Sequence, residues 1–304
     1  MKIAYVNIWN GFDQNGYPDK CHFTRILREV DPSLTYDIGY KPGSNYDLVI
    51  SMFAPIPGHY SYADLNQISE KKLVFTGESY DVITTTPGGD AYIGFDLEED
   101  VYGSFKYLRF PLYAIYHMDY LIKYSASSFE NLRNLFSWKS RIPKVSAVIS
   151  NPSNNLRNSV LDILIQHNLC DSGGRLKNTL GQLVSDKLGF INNYSMNLAF
   201  ENLERKSYIT EKIYESLITN SVPFYYGAPD ISMEFNPASF VRLDVSNDQA
   251  ARDSIQHAVN VLSDPDQINK LRNTDPITGF RSEKYIRNGK DILKTFVMNL
   301  IETK

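Results

Sequence analysis

The stretch from Asn197 to Phe240 limits what this chain can fold into more than any other. An apolar run, Met196 to Phe200, ends on Glu201-Asn202, and after a polar loop Tyr208-Ile209-Thr210-Glu211-Lys212 opens a helix whose apolar face is Ile213, Leu217 and Ile218. A second run, Val222 to Tyr226, stops at Gly227-Ala228-Pro229. Strand, loop, helix and strand in that order make one turn of an α/β domain with a parallel sheet. Ligands of such sheets sit at the carboxyl ends of the strands. Glu201, Asn202, the Tyr208 to Lys212 segment and Gly227 are therefore expected on one crevice suited to a nucleotide.

The same alternation runs through the rest of the chain. Strands are expected at Lys2 to Ile8, Asp47 to Met52, Lys72 to Phe75 and Ala91 to Phe95, with a helix over Cys21 to Val30 and helical structure in at least part of Leu112 to Phe136. The basic passage Trp138-Lys139-Ser140-Arg141-Ile142-Pro143 is the linker candidate. Beyond it, Val145 to Ile149 reads as a strand, and Asn151 to Asn154 as a turn and cap before a helix from Asn155 to about His167. Asp171-Ser172-Gly173-Gly174-Arg175 reads as a tight loop, and Lys187 to Tyr194 leads into the strand that ends at Phe200. A strand at Ser239 to Leu243, a helix at Asp248 to Leu262 and an amphipathic helix within Tyr285 to Lys304 follow. The simplest architecture is two sheet-and-helix domains, 1–138 and 139–304, with a cleft between them as the default site and a last helix able to pack back on the first domain.

A length of 304 residues accommodates two such domains, and the 21 tyrosines suit carbohydrate or nucleotide surfaces as well as an aromatic core. The net charge of −4 argues against nucleic acid as the main partner. MKIAYVNIWNGF has no secretory pattern, no run is long and apolar enough to span a membrane, and Cys21 and Cys170 lie far apart, so a cytoplasmic location is expected. The last helix is expected to dock on a core, with peripheral membrane contact as the alternative.

Four places carry chemistry. Lys212, near a helix start, can hold a phosphate, and Glu211 can accept from a ribose diol; the same pair also fits an ordinary first turn with both charges in water. Arg157, amid Asn154, Asn155 and Asn158 at another helix start, can grip a diphosphate or be a surface arginine. Arg175 follows a glycine pair that is often only a turn. Glu78 follows a strand through a Thr-Gly turn, where it is either a loop glutamate or a general base. Asp96 to Asp100 reads as a solvated acidic turn, and His22, His59, His117, His167 and His257 lack metal-ligand spacing, so no metal site is expected. No GxSxG, GxGxxG or Walker-type signature is present.

Taken together, the segments Phe75 to Glu78, Ala91 to Asp96, Leu108 to Tyr113, Ser150 to Pro152, Arg157-Asn158, Asp171 to Arg175, Asn197 to Asn202, Tyr208 to Lys212, Pro223 to Gly227 and Phe235 to Phe240 resemble, in family order, the alpha-1,3-fucosyltransferases of glycosyltransferase family 10, of the compact bacterial type. The resemblance covers roughly residues 70 to 245. It implies a GT-B fold, two Rossmann-like domains facing across a cleft. It further implies an inverting enzyme that moves L-fucose from GDP-fucose to a GlcNAc or Glc hydroxyl of an N-acetyllactosamine- or lactose-type oligosaccharide acceptor. Under it Glu78 is the catalytic base, Arg157 and Lys212 hold the diphosphate, and Asn202, Tyr208 and Glu211 complete the donor site, with Arg175 and Gly227 as further donor-side candidates. No cofactor is required under this likeness, although Mn²⁺ or Mg²⁺ could speed product release. Ser207 stands where many members carry glycine, and Tyr226 where tryptophan is frequent. The alternatives are a transferase of another GDP-sugar, such as GDP-mannose, and a catalytically silent nucleotide- or sugar-binding protein.

Overall fold

The computed structural model describes residues 1–8, 12, 16–52, 63–136 and 140–303. Trp138 and Lys139 of the linker candidate, and His59, lie outside the described residues. Two compact units result, one formed by Met1–Asp119 with Asn288–Lys304, the other by Tyr120–Arg287. The chain passes from the first to the second within one helix and returns within another.

The first unit runs β1 (Lys2–Val6), α1 (Tyr17–Lys20), α2 (His22–Arg28), β2 (Thr35–Ile38), β3 (Leu48–Ser51), β4 (Lys72–Phe75), α3 (Val82–Thr85), β5 (Ala91–Gly94), β6 (Lys106–Arg109) and the start of α4 (Leu112–Lys123). Its six strands pair in the order β2-β1-β3-β4-β5-β6, all in parallel. Parallel strands covered on both faces read as continuous apolar runs. That is why β3 and β5, buried at every position, are plain in the sequence. The edge strands β2 and β6 keep exposed or half-buried residues and have no such run, and the sequence reading passes over both. Ala4, Val49, Val74 and Tyr92 centre one core of this unit. From the last helix, Leu293 and Val297 are fully buried, and Lys71 Nζ donates to the Leu300 carbonyl at 2.7 Å.

The second unit continues with α5 (Phe129–Leu135), β7 (Ile142–Ala147), α6 (Asn155–Gln166), β8 (Cys170–Ser172), α7 (Lys187–Asn192), β9 (Tyr194–Phe200), α8 (Glu211–Ile218), β10 (Val222–Tyr226), α9 (Ile231–Glu234), β11 (Val241–Arg242), α10 (Asp248–Leu262), α11 (Pro265–Asn273) and α12 (Ser282–Glu302). Its parallel sheet has the order β11-β10-β9-β7-β8. The expected tight loop at Asp171 begins instead inside the short edge strand β8, and the segment leading into β9 is the helix α7. Gly174 turns the chain where a Cβ would stand 2.0 Å from the Ile149 carbonyl oxygen, so no larger residue fits that crossing. From β7 the chain steps outward to β8 and then crosses back to β9 on the other side. This reversal opens a crevice at the carboxyl ends of the adjacent strands β7 and β9. Among the described residues no helix is long and apolar enough to cross a membrane.

Candidate functional site

The reversal between β7 and β9 holds a pocket of about 310 Å³ in the second unit. Ser150 and Asn151 reach it from the end of β7, Asn202 from the end of β9, Arg157 from α6, and Glu211 and Lys212 from α8.

Arg157 is fixed by its own helix start. The Asn154 side chain caps α6 by accepting from the Arg157 N–H at 2.9 Å, and its amide donates to the Asn202 carbonyl at 2.9 Å, tying α6 to the end of β9. The guanidinium donates to Asn202 Oδ1 at 2.8 Å and to the Asn151 carbonyl at 2.6 Å. Its Nε is buried without a partner, and the residue is only 3 % exposed. Burial lowers the guanidinium's pKa, and the nearby Glu201 charge opposes that shift in part. An arginine so covered and so oriented is preorganised for an anion, because little side-chain freedom remains to be lost on binding.

Lys212 rests on a network that the sequence left without a role. Glu201, one residue past β9 and fully buried, accepts from the Thr210 N–H at 2.7 Å, from the Thr210 hydroxyl at 2.8 Å and from Lys212 Nζ at 2.9 Å. The Thr210 hydroxyl in turn accepts from Lys212 at 2.9 Å. Burial disfavours the ammonium, but Glu201 and then Glu211 outweigh it and hold the Lys212 pKa above its ordinary value. Lys212 therefore keeps its charge in a largely dehydrated place. Gly227 belongs to this network from behind, since a Cβ there would come within 2.5 Å of Glu201 Cγ.

Glu211 faces the same pocket. Burial pushes its carboxyl up, yet Lys212 and Lys187 more than offset that and leave it below the usual glutamate value. Lys187 lies 4.0 Å from Glu211 and is ion-paired with Glu215, to which the Tyr120 hydroxyl donates at 2.6 Å. The pocket thus alternates positive and negative groups, which suits a ligand with phosphates at one end and a diol at the other.

Arg157, Asn202, Glu211 and Lys212 line this one pocket, and Tyr208, Arg175, Gly227 and Glu78 do not. Gly227 lines a separate pocket with Glu204 and Arg242. Tyr208 is only 1 % exposed, and Arg175 stands on the surface with its N–H 3.4 Å from Ser150 Oγ. Ser207 has φ 63°, a left-handed conformation that favours glycine, and Asp230 holds it by accepting from its N–H at 2.8 Å and its hydroxyl at 3.0 Å. Glu78 sits in the first unit beyond β4, with its N–H donating to Thr76 Oγ1 at 3.0 Å, and is exposed at the mouth of a cavity of about 470 Å³. The sequence placed Glu201 and the Tyr208 to Lys212 segment on one crevice, but it gave Glu201, Thr210 and Lys187 no role as partners of the charged residues.

Residues 138–270 match the model of "Glycosyltransferase family 10 (fucosyltransferase) C-term". The matched segment is less than half of the chain. It holds every residue of the β7–β9 pocket. The chain is similar to the alpha-(1,3)-fucosyltransferase FucT of Helicobacter pylori, 29% identical over 287 residues that cover 84% of this chain and 57% of that protein. It also matches a fucosyltransferase-like protein of Arabidopsis thaliana, 41% identical over 97 residues, 31% of this chain and 18% of that one. The chain therefore spans little more than half the length of the first of these relatives and less of the second. A crystal structure of an alpha1,3-fucosyltransferase superposes with a TM-score of 0.75 at 24% identity, covering 100% of this chain and 90% of the other. Another, with GDP-fucose, matches at a TM-score of 0.72 and 23% identity, covering 100% and 91%. These likenesses show the fold, a GT-B type built from two Rossmann-like α/β units.

Proposed function

We propose that this chain is an inverting alpha-1,3-fucosyltransferase that moves L-fucose from GDP-fucose to a GlcNAc or Glc hydroxyl of an N-acetyllactosamine- or lactose-type glycan. One observation carries the reading: within the segment that matches the family 10 model, two oriented and largely dehydrated cations, Arg157 and Lys212, converge with Asn202 and Glu211 on one pocket. The relative and the structures named above are alpha-1,3-fucosyltransferases, which supports the same donor and linkage.

The chemistry follows from charge. Fucose is linked β to the diphosphate, so direct displacement by an acceptor hydroxyl gives an α-fucoside with inversion. Glu78 takes the hydroxyl proton as the new bond forms, and such a base typically contributes about 10² to 10⁴ in rate. The sugar passes through an oxocarbenium-like state while Arg157 and Lys212 offset the charge that builds on departing GDP. Preorganised cations are most effective where water is excluded. Glu211 accepts from the ribose diol, with Asn202 and Tyr208 completing the donor side and Arg175 and Gly227 its periphery. The two cations carry the charge stabilisation, so the mechanism calls for no metal; added Mn²⁺ or Mg²⁺ is expected to act on product release. The donor is taken to be supplied in the cytoplasm.

The test is the mass of the product. Incubated with N-acetyllactosamine, the protein is expected to add one deoxyhexose from GDP-fucose and nothing from GDP-mannose. Addition of a hexose from GDP-mannose contradicts the donor assignment, and GDP-fucose binding without any transfer contradicts the enzyme.

A further inference from the structure

The cavity beside Glu78 has a floor of Met52, Phe75, Leu112 and Ile115 at the carboxyl ends of β3 and β4 and along α4. Its other polar lining residues are His22, Asp119, Tyr17 and Tyr116. His22 is 5 % exposed, its ring meets Phe75 edge-on at 5.4 Å, and its Nε2 is buried without a hydrogen-bond partner. A buried polar atom left unpaired is unfavourable, and in a pocket wall it marks a place where a ligand group is expected. Asp119, on α4, is ion-paired with Arg25 of α2 and keeps 44% of its side chain exposed. An apolar floor with a hydrogen-bonding wall matches a pyranose, which has a C–H face and a hydroxyl edge.

We propose that Asp119 is a specificity-determining residue for the acceptor: its carboxylate accepts a hydroxyl of a neutral sugar held beside Glu78 and turns away a sugar bearing sulfate or carboxylate at that place. The proposal rests on the glycosyltransferase reading above. A carboxylate accepts from hydroxyls and repels an anion, so one side chain supplies both the attraction and the discrimination. Asparagine in its place keeps the shape and one acceptor oxygen but drops the charge. It also leaves the Arg25 guanidinium open to an anionic group.

The experiment compares wild type, Asp119→Asn and Asp119→Glu on N-acetyllactosamine and on the same disaccharide sulfated at O6 of GlcNAc, with GDP-fucose saturating. For Asp119→Asn, kcat/KM on the neutral acceptor is expected to fall by about tenfold, mostly through KM, while the sulfated acceptor gains. KM for GDP-fucose stays unchanged, and Asp119→Glu keeps the wild-type preference. A parallel fall on both acceptors would mean only a loosened α2–α4 contact and overturns the assignment. Saturation-transfer NMR with the two saccharides reads the same discrimination without turnover. Selective binding of the neutral saccharide, lost in Asp119→Asn, supports Asp119 even if no fucose is transferred, an outcome that sinks the functional reading alone. Transfer with an unaltered preference sinks Asp119 alone.

Discussion

Glu201 and Lys212 form a pair at the β7–β9 pocket in which a fully buried carboxylate positions a pocket-lining cation. Fully buried, Glu201 spends its oxygens on Thr210 and Lys212, so the lysine's ammonium is both charged and aimed. His22 shows the opposite electrostatics. Burial, and to a lesser extent the Arg25 charge, press its imidazole pKa from 6.5 down to about 3. The folded protein thus refuses a proton that the unfolded chain accepts below pH 6.5. The stability tied to neutral His22 is present above that pH and is lost as pH falls toward about 3. Across that window the expected slope is about 1.4 kcal/mol per pH unit. Urea unfolding at pH 7 and pH 5 reads it: wild type should lose about 2 kcal/mol from this group, and His22→Leu should lose about 2 kcal/mol less than wild type. An equal acid sensitivity in the variant contradicts the assignment.

At the scale of elements, the β7–β9 pocket is held by the start of α6 meeting the end of β9. Asn154 is the joint, capping α6 through the Arg157 N–H and reaching the Asn202 carbonyl. Asn154→Ala should therefore destabilise the protein by about 1 kcal/mol through the lost cap. It should also weaken GDP binding, because Arg157 and Asn202 lose their common tether; calorimetric titration checks this, and a stability loss with unchanged GDP affinity contradicts it. The sequence showed these elements unevenly, for a physical reason. Interior strands such as β4, after its opening lysine, and β10 are buried over nearly all their length, and their limits read directly from Lys72 to Phe75 and Val222 to Tyr226. Edge strands β2, β6 and β8 carry polar residues and read as loops. In the same way, Arg157 and Lys212 were legible as cations at helix starts. The link from Glu201 to Lys212 was not, since it exists only where the end of β9 meets the start of α8.

For the whole molecule, the proposed function divides two tasks between the two units. Under the proposed function the segment that matches the family 10 model grips the nucleotide sugar, and the first unit, to which the end of α12 belongs, supplies Glu78 and the acceptor's seat. If that division is right, binding and chemistry must come apart under mutation. Lys212→Ala should weaken GDP binding by about 1.5 to 3 kcal/mol, the range for a charge-assisted bond. The measurement that tests the account most directly is made on Glu78→Ala, with fucose transfer to N-acetyllactosamine and GDP affinity determined on the same preparation. Transfer is expected to fall by about 10² to 10⁴ while GDP binds as it does to wild type. Transfer at the wild-type rate, or a loss matched by an equal loss of GDP affinity, would contradict Glu78 as the base.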